Sequence, residues 1–256
     1  MARGHVLITG AGTGIGRAIA LRLAAEGYAL SLFGRRVALL QETAEAITAQ
    51  GAPTPFLAAC DIRDAAQVAA TFAAAAAKQG AVTALVANAG IGGANDAGPS
   101  DRFDDLVATN LMGTYYCLRA AQTHLRPGPG PRHLVVISSI LARFGVAGYT
   151  GYCASKTGLL GLVRALAMEL AEHNIQVNAV CPGWVNTQMA RDGLQGMADG
   201  IGCTYEEAYA LAMKDVPLGR MSEPTHVAGL VNWLLGPDAL GVTGQAMDMN
   251  NGAYMI

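Results

Sequence analysis

The sequence predicts an α/β fold: a single doubly wound parallel sheet of about seven strands, with helices on both faces. Three observations carry that expectation. Short apolar runs alternate with longer stretches of helical character along the whole chain. The runs are apolar at nearly every position, the pattern of strands covered on both faces. Finally, the 256 residues are 52% hydrophobic and only 14% charged, which suits one domain with a large core and excludes a disordered chain.

The elements follow in order. Residues 5–9 (HVLIT) read as the first strand, followed by a glycine loop and a helix over 15–26 at helical spacing. Residues 29–33 form a second strand and 37–50 a helix; 54–59 form a third strand and 65–78 a helix; 82–87 form a fourth strand. One long helix is expected over 103–124, a strand over 134–137, a second long helix over 152–173 and a sixth strand over 175–180. Residues 186–216 look less regular. A helix near 225–235 and a last strand over 246–249 complete the chain. The Pro/Gly-rich breaks at 90–100 and 126–132 are short enough to be loops, so no domain boundary is expected.

Composition excludes several classes. The most apolar stretches, 65–77 and 159–170, fall short of the roughly 18–20 residues that a bilayer demands, and Arg164 and Glu169 break the second. No signal-peptide layout precedes His5, so a soluble cytoplasmic protein is expected. A net charge of −2 offers no footprint for nucleic acid. Cys60, Cys117, Cys153, Cys181 and Cys203 are widely spaced and read as free thiols in a reducing compartment. His5, His124, His133, His173 and His226 lack ligand spacing, so no metal is expected.

Chemistry enters at two places. The loop Thr9-Gly10-Ala11-Gly12-Thr13-Gly14-Ile15-Gly16 fits GxxxGxG through Gly10, Gly14 and Gly16. Such glycines let the backbone approach a pyrophosphate at the N–H groups of a helix start, although a tight turn without ligand has the same composition. Further on, Tyr152 and Lys156 lie four apart, on one face of a helix. An ammonium beside a phenol favours the phenolate and brings its pKa down from about 10 toward the working range. Ser139 is placed to hydrogen-bond a substrate carbonyl. Tyr149, followed four residues later by Cys153, lacks the lysine and suits a substrate wall.

Together these motifs resemble the short-chain dehydrogenase/reductase family over essentially the whole chain. The resemblance rests on TGAGTGIG at 9–16, Asp61 after the third strand, Asn88-Ala89-Gly90 after the fourth and Asn110 in the following helix. It continues through Ser139, Tyr152 and Lys156 to Pro182-Gly183-Trp184-Val185-Asn186-Thr187. It implies a Rossmann-type sheet and redox exchange between a nicotinamide cofactor and a carbonyl/alcohol pair. By resemblance, Tyr152 is the general acid/base, Ser139 polarises the carbonyl, Lys156 also binds the nicotinamide ribose, and Asn110 holds a relay water. Gly10, Thr13, Gly14, Ile15 and Gly16 would cradle the cofactor. Asp61 and Ile62 would meet the adenine, Asn88, Ala89 and Gly90 the ribose, and Pro182, Gly183, Val185 and Thr187 the carboxamide end.

The cofactor's identity turns on charge. NAD enzymes of this fold place a carboxylate at the end of strand two. Here Gly34 stands there, followed by Arg35 and Arg36, whose guanidinium groups suit a 2′-phosphate. NADP(H) is therefore favoured, with NAD(H) the alternative.

Substrate evidence is thinner. Met189, Leu194, Met197, Ile201, Tyr205, Tyr209, Leu211 and Met213 suit an adaptable apolar pocket, or equally the packing of the 186–216 lid on the body. Leu141, Phe144 and Tyr149 would form the facing wall, with Trp184 and Met189 across from them. The lid's length and the run Val216-Pro217-Leu218-Gly219-Arg220 are similar to 3-oxoacyl and polyketide ketoreductases. An acidic carrier protein would meet only scattered Arg126, Arg132 and Arg143. The expected reaction is reduction of a 3-oxoacyl thioester or bulky apolar ketone; oxidation of a hydrophobic secondary alcohol is the alternative, and a non-catalytic cofactor sensor the distant one. The resemblance also implies a homotetramer assembled through the long helices at 103–124 and 152–173.

Overall fold

A computed structural model describes residues 3–255. The chain runs β1 (His5–Thr9), α1 (Gly14–Ala25), β2 (Ala29–Gly34), α2 (Val37–Ala49), β3 (Phe56–Ala59), α3 (Ala65–Gln79) and β4 (Ala84–Ala87). It continues through α4 (Phe103–Val107), α5 (Thr114–Gln122), β5 (Arg132–Ile137), α6 (Thr150–Leu170) and β6 (Ile175–Pro182). Helices α7 (Gln188–Ile201), α8 (Tyr205–Met213) and α9 (Pro224–Leu234) precede β7 (Ala246–Met249). The strands form one seven-stranded sheet in the order β3-β2-β1-β4-β5-β6-β7, with every neighbouring pair parallel.

Strand periodicity divides the core in two. Val6 and Ile8 of β1 pack with Ile19 and Leu23 of α1, Leu40 of α2 and Val227 and Val231 of α9. Leu7 between them points the other way, toward Phe72 of α3, Leu118 of α5 and Leu159 and Val163 of α6. All three β1 side chains are fully buried, each contributing about 1.5–3 kcal/mol. Because the chain winds outward in both directions from β1 and β4, their carboxyl ends open a crevice at the switch point.

Two expectations need correction. Residues 103–124 are not one uninterrupted α-helix. Between α4 and α5 the backbone widens into a π-helical turn, Ala108–Gly113. The fully buried Asn110 sits in that turn, and its amide binds both the N–H and the C=O of Ile91. Gly113 ends the turn, where a Cβ would stand 2.7 Å from Ile62.

Residues 186–216 are helical rather than irregular. The Thr187 hydroxyl accepts from the Ala190 N–H and opens α7, which stops at Gly202 with φ of +71°. Thr204 and Glu207 form a capping box that opens α8. At the base of this segment the Ser222 N–H donates to the Trp184 carbonyl, and the Ser222 carbonyl accepts from the Asn186 N–H. Leu194, Met213, Val216 and Met221 give it a small core of its own, against which Trp184 and Tyr209 pack.

Candidate active site

A cleft opens above the carboxyl ends of β1 and β4. On one side it is lined by Gly10, Gly12, Thr13, Gly14 and Ile15, by Gly34, Arg35 and Arg36 after β2, and by Asp61 and Ile62 after β3. Asn88, Ala89, Gly90, Ser138, Tyr152, Lys156, Thr187 and Met189 line the rest.

The glycine loop is built by close packing. Gly10 takes φ of +67°, and a Cβ there would stand 2.8 Å from Asn88 Nδ2. Asn88 donates to the Thr9 and Gly10 carbonyls at 3.0 and 3.2 Å, pinning the end of β4 to the end of β1. Gly16 lies behind the cleft, where a Cβ would collide with the Gly10 carbonyl oxygen. It packs against the Gly10 backbone and is not among the residues that line the cleft. Thr13 opens α1 without a side-chain hydrogen bond, so the first N–H groups of a twelve-residue helix remain available at the cleft.

Charge around the adenosine end is distributed unequally. Arg63 grips both carboxylate oxygens of Asp61 at 2.7–3.2 Å. That hydrogen bonding holds the Asp61 carboxyl below its usual range. Arg35 and Arg36 are exposed and have no carboxylate partner among the described residues. Two free guanidinium groups beside an uncapped helix start fit a dinucleotide carrying a 2′-phosphate.

At the other end, the half-buried Tyr152 and buried Lys156 stand one turn apart on α6. Lys156 Nζ donates to the Ile137 carbonyl at 3.0 Å and lies 5.7 Å from the centre of the Tyr152 ring. Burial lowers its pKa to about 8. The expected lowering of the Tyr152 pKa is not found: burial pushes the phenol up, opposed by hydrogen bonding to Ser139. The physical reason is that the ammonium is directed to a backbone carbonyl, while desolvation penalises the phenolate. Ser139 is buried, and its hydroxyl accepts from the Leu141 N–H at 3.1 Å.

Asn110 makes no hydrogen bond to Lys156. Its amide binds Ile91 and donates to Ser155 Oγ at 3.2 Å. A Cβ on Gly90 would stand 2.9 Å from Asn110 Oδ1 and 3.6 Å from Lys156 Nζ, so both side chains converge on that glycine.

Several other expected residues lie off the cleft wall. The Gly183 N–H donates to Met249, a Cβ there would meet Asn250, and Val185 is buried in the α1/α9 core. Pro182 ends β6. Leu141, Phe144, Tyr149 and Trp184 also stand outside the lining. Phe144 meets Tyr254 with ring centres 5.9 Å apart, and Trp184 packs on the small core beneath α7 and α8. Met189 does line the cleft, reaching over Gly92.

Of the three scattered arginines, Arg126 and Arg132 meet at the opposite end of the sheet, whereas Arg143 lies beside Asp248. Arg63, Ser138 and the Ile137 carbonyl escaped the sequence reading. Only the short Asp61–Arg63 spacing held a readable signal. Among the described residues no group of His, Cys, Asp and Glu could hold a metal ion, and no helix is long and apolar enough to cross a membrane.

Comparison with known proteins extends this picture. The family model described as enoyl-(acyl carrier protein) reductase matches residues 10–254. The 3-oxoacyl-[acyl-carrier-protein] reductase FabG of Staphylococcus aureus is 33% identical over 253 residues, covering 97% of each chain. A variant of actinorhodin polyketide ketoreductase crystallised with NADPH superposes with a TM-score of 0.92 at 35% identity, covering 99% of each chain. Levodione reductase superposes equally well, with a TM-score of 0.92 at 29% identity and 98% coverage of each chain.

Proposed function

The chain belongs to the short-chain dehydrogenase/reductase family, in its ketoreductase branch, and from that premise we propose that it reduces a 3-oxoacyl thioester or bulky apolar ketone with NADPH. The observation that carries this reading is the pairing of two arginines without carboxylate partners among the described residues, at one end of the cleft, with Tyr152 and Lys156 at the other, Ser139 standing next in the chain to the lining residue Ser138. The cofactor, when bound, would supply a hydride, the two electrons and the one hydrogen that the carbonyl carbon gains.

The remaining steps belong to the chain. Ser139 donates a hydrogen bond to the substrate carbonyl oxygen and fixes its orientation. Tyr152 delivers the proton to that same oxygen. Burial shifts this phenol upward, toward the protonated form that acts as the acid in carbonyl reduction. Lys156 holds the nicotinamide ribose and, with Asn110 and the Gly90 backbone between them, lines the route by which Tyr152 regains a proton. Thr187, Asn88 and the glycine loop seat the dinucleotide; Arg35, assisted by Arg36, selects the phosphorylated form.

The segment over 186–216 acts as a lid on the substrate within a single domain, with Met189 at its edge. Phe103, Met112 and Met168 are exposed along the two long helical stretches, supporting assembly of a cytoplasmic homotetramer through those faces.

The testing experiment is a panel of 3-oxoacyl thioesters, apolar ketones, enoyl thioesters and hydrophobic secondary alcohols, each assayed with both nicotinamide cofactors. Reduction of a carbonyl with NADPH is expected to dominate. Faster reduction of the enoyl thioester would replace the carbonyl reading. Preferred oxidation of an alcohol with NAD would instead support a dehydrogenase, and absence of turnover alongside tight cofactor binding a sensor.

A further inference from the structure

Ser139 sits at the head of a turn that continues through a short 3₁₀ segment, Ile140–Ala142, to Arg143. On one side, α6 holds this turn. Ser138 Oγ donates to the Lys156 carbonyl at 3.0 Å, and Thr157 Oγ1 to the Ala142 carbonyl at 3.3 Å. On the other side the anchor is Arg143. Its Nε and Nη2 donate to the two Asp248 oxygens at 3.0 Å each, and Nη2 donates again to the Ala246 carbonyl at 2.7 Å. These side chains are only 13% and 19% exposed. Beyond Arg143, residues 144–148 are exposed and include Gly145 and Gly148, and the chain is next held at the Gly148 carbonyl, which accepts from the Asn95 N–H at 2.8 Å.

We propose that Arg143 and Asp248 are a positioning pair for Ser139, fastening the serine-bearing turn to the edge strand β7. The inference rests on the carbonyl-reductase reading above. Withdrawing two charges from water is costly, and apolar replacements of such pairs are often neutral or stabilising. Three hydrogen bonds from one planar fork therefore matter less for stability than for geometry. The geometry fixed here belongs to the turn that aims the Ser139 hydroxyl, four positions upstream. Among the described residues strand β7 pairs only with β6, so the clamp also ties the sheet's last strand to the reacting end of the cleft.

The test is a double-mutant cycle. Arg143→Met is introduced into the wild-type chain and into Ser139→Ala, with Arg143→Lys and Asp248→Asn as milder companions. Steady-state rates are measured with the best carbonyl substrate and NADPH, and thermal midpoints are recorded for each protein. In the wild-type background kcat is expected to fall about tenfold to a hundredfold, because a shift near 1 Å misaligns the hydroxyl. The NADPH KM should stay within about twofold, and in the Ser139→Ala background kcat should fall less than about threefold.

Exchange of the pair, Arg143→Asp with Asp248→Arg, should recover part of the loss. An equal loss in both backgrounds, or an unchanged kcat in Arg143→Met, would overturn the assignment. Should Arg143→Met fold poorly, Arg143→Lys and Asp248→Asn complete the same cycle. A wild-type chain that reduces no carbonyl refutes the functional reading itself; an active wild type with an additive cycle refutes only the positioning role.

Discussion

Replacing Arg35 by alanine should cost NADPH affinity and leave NADH untouched. Arg35 lines the cleft at the carboxyl end of β2, and the nearby Asp61 is already engaged on both oxygens by Arg63. The guanidinium is therefore available to a 2′-phosphate. Hydrogen bonds to charged groups contribute about 1.5–3 kcal/mol. Arg35 is exposed, so water competes and the lower part of that range applies, about 1.5–2 kcal/mol. At about 1.4 kcal/mol per decade, the NADPH dissociation constant should rise roughly ten- to thirtyfold.

Gly34→Asp makes the complementary change. A Cβ built there meets only Leu40, at 3.5 Å, so the carboxylate enters without displacing backbone and should turn the preference toward NADH. Titration calorimetry with both dinucleotides, beside kcat/KM on one ketone, reads both changes. An NADPH-to-NADH ratio unmoved in the Arg35→Ala/Arg36→Ala double variant would refute the assignment of the phosphate site.

Three further outcomes are expected. Tyr152→Phe should lower turnover by about 10²–10⁴-fold with NADPH binding preserved, checked by stopped-flow rates and cofactor fluorescence; a variant that still turns over would remove Tyr152 as proton donor. The buried His133 has its pKa lowered by burial from 6.5 to about 4. Between those values the unfolded chain binds a proton that the folded chain does not, so stability present above pH 6.5 is lost progressively down to pH 4. The gap corresponds to about 3 kcal/mol. Urea midpoints for wild type and His133→Leu should diverge over that window, and parallel curves would contradict it. Lastly, Gly196→Ala on the exposed side of α7, with nothing within 4 Å of the new Cβ, should stabilise by about 0.5–1 kcal/mol, whereas Gly16→Ala should destabilise; thermal midpoints moving together would contradict the packing described for the loop.

The legible parts of the fold were those set by periodicity. Strands β1 and β7 have the expected bounds because their apolar runs stop at clear boundaries. The π-helical turn at Asn110 was not legible, since it depends on an amide reaching Ile91, far away in the chain. The helices of 186–216 were announced by Thr187 and by Thr204–Glu207, but the scattered apolar residues obscured those caps. Within the site, the glycine loop, Tyr152 and Lys156 could be placed by spacing, and Asn88 by the family resemblance, each lying at the end of a strand or on one helix. Arg143–Asp248 is a matter of side-chain direction, as is the turning of Val185 into the core. Sequence spacing fixes which element carries a residue, and packing decides which way it points.

The separate small core beneath α7 and α8 bears on how such a protein changes its diet. The two large cores meet on the sheet and are committed to the dinucleotide, whereas Leu194, Met213, Val216 and Met221 answer mainly to one another. The segment leaves and rejoins the body at neighbouring points, where Val185 pairs with Ser222. A chimera exchanged between those two positions would transplant a patch of structure that brings most of its own interior. New substrate ranges can then arise by replacement of one cassette, while the parts that grip the cofactor stay under separate selection.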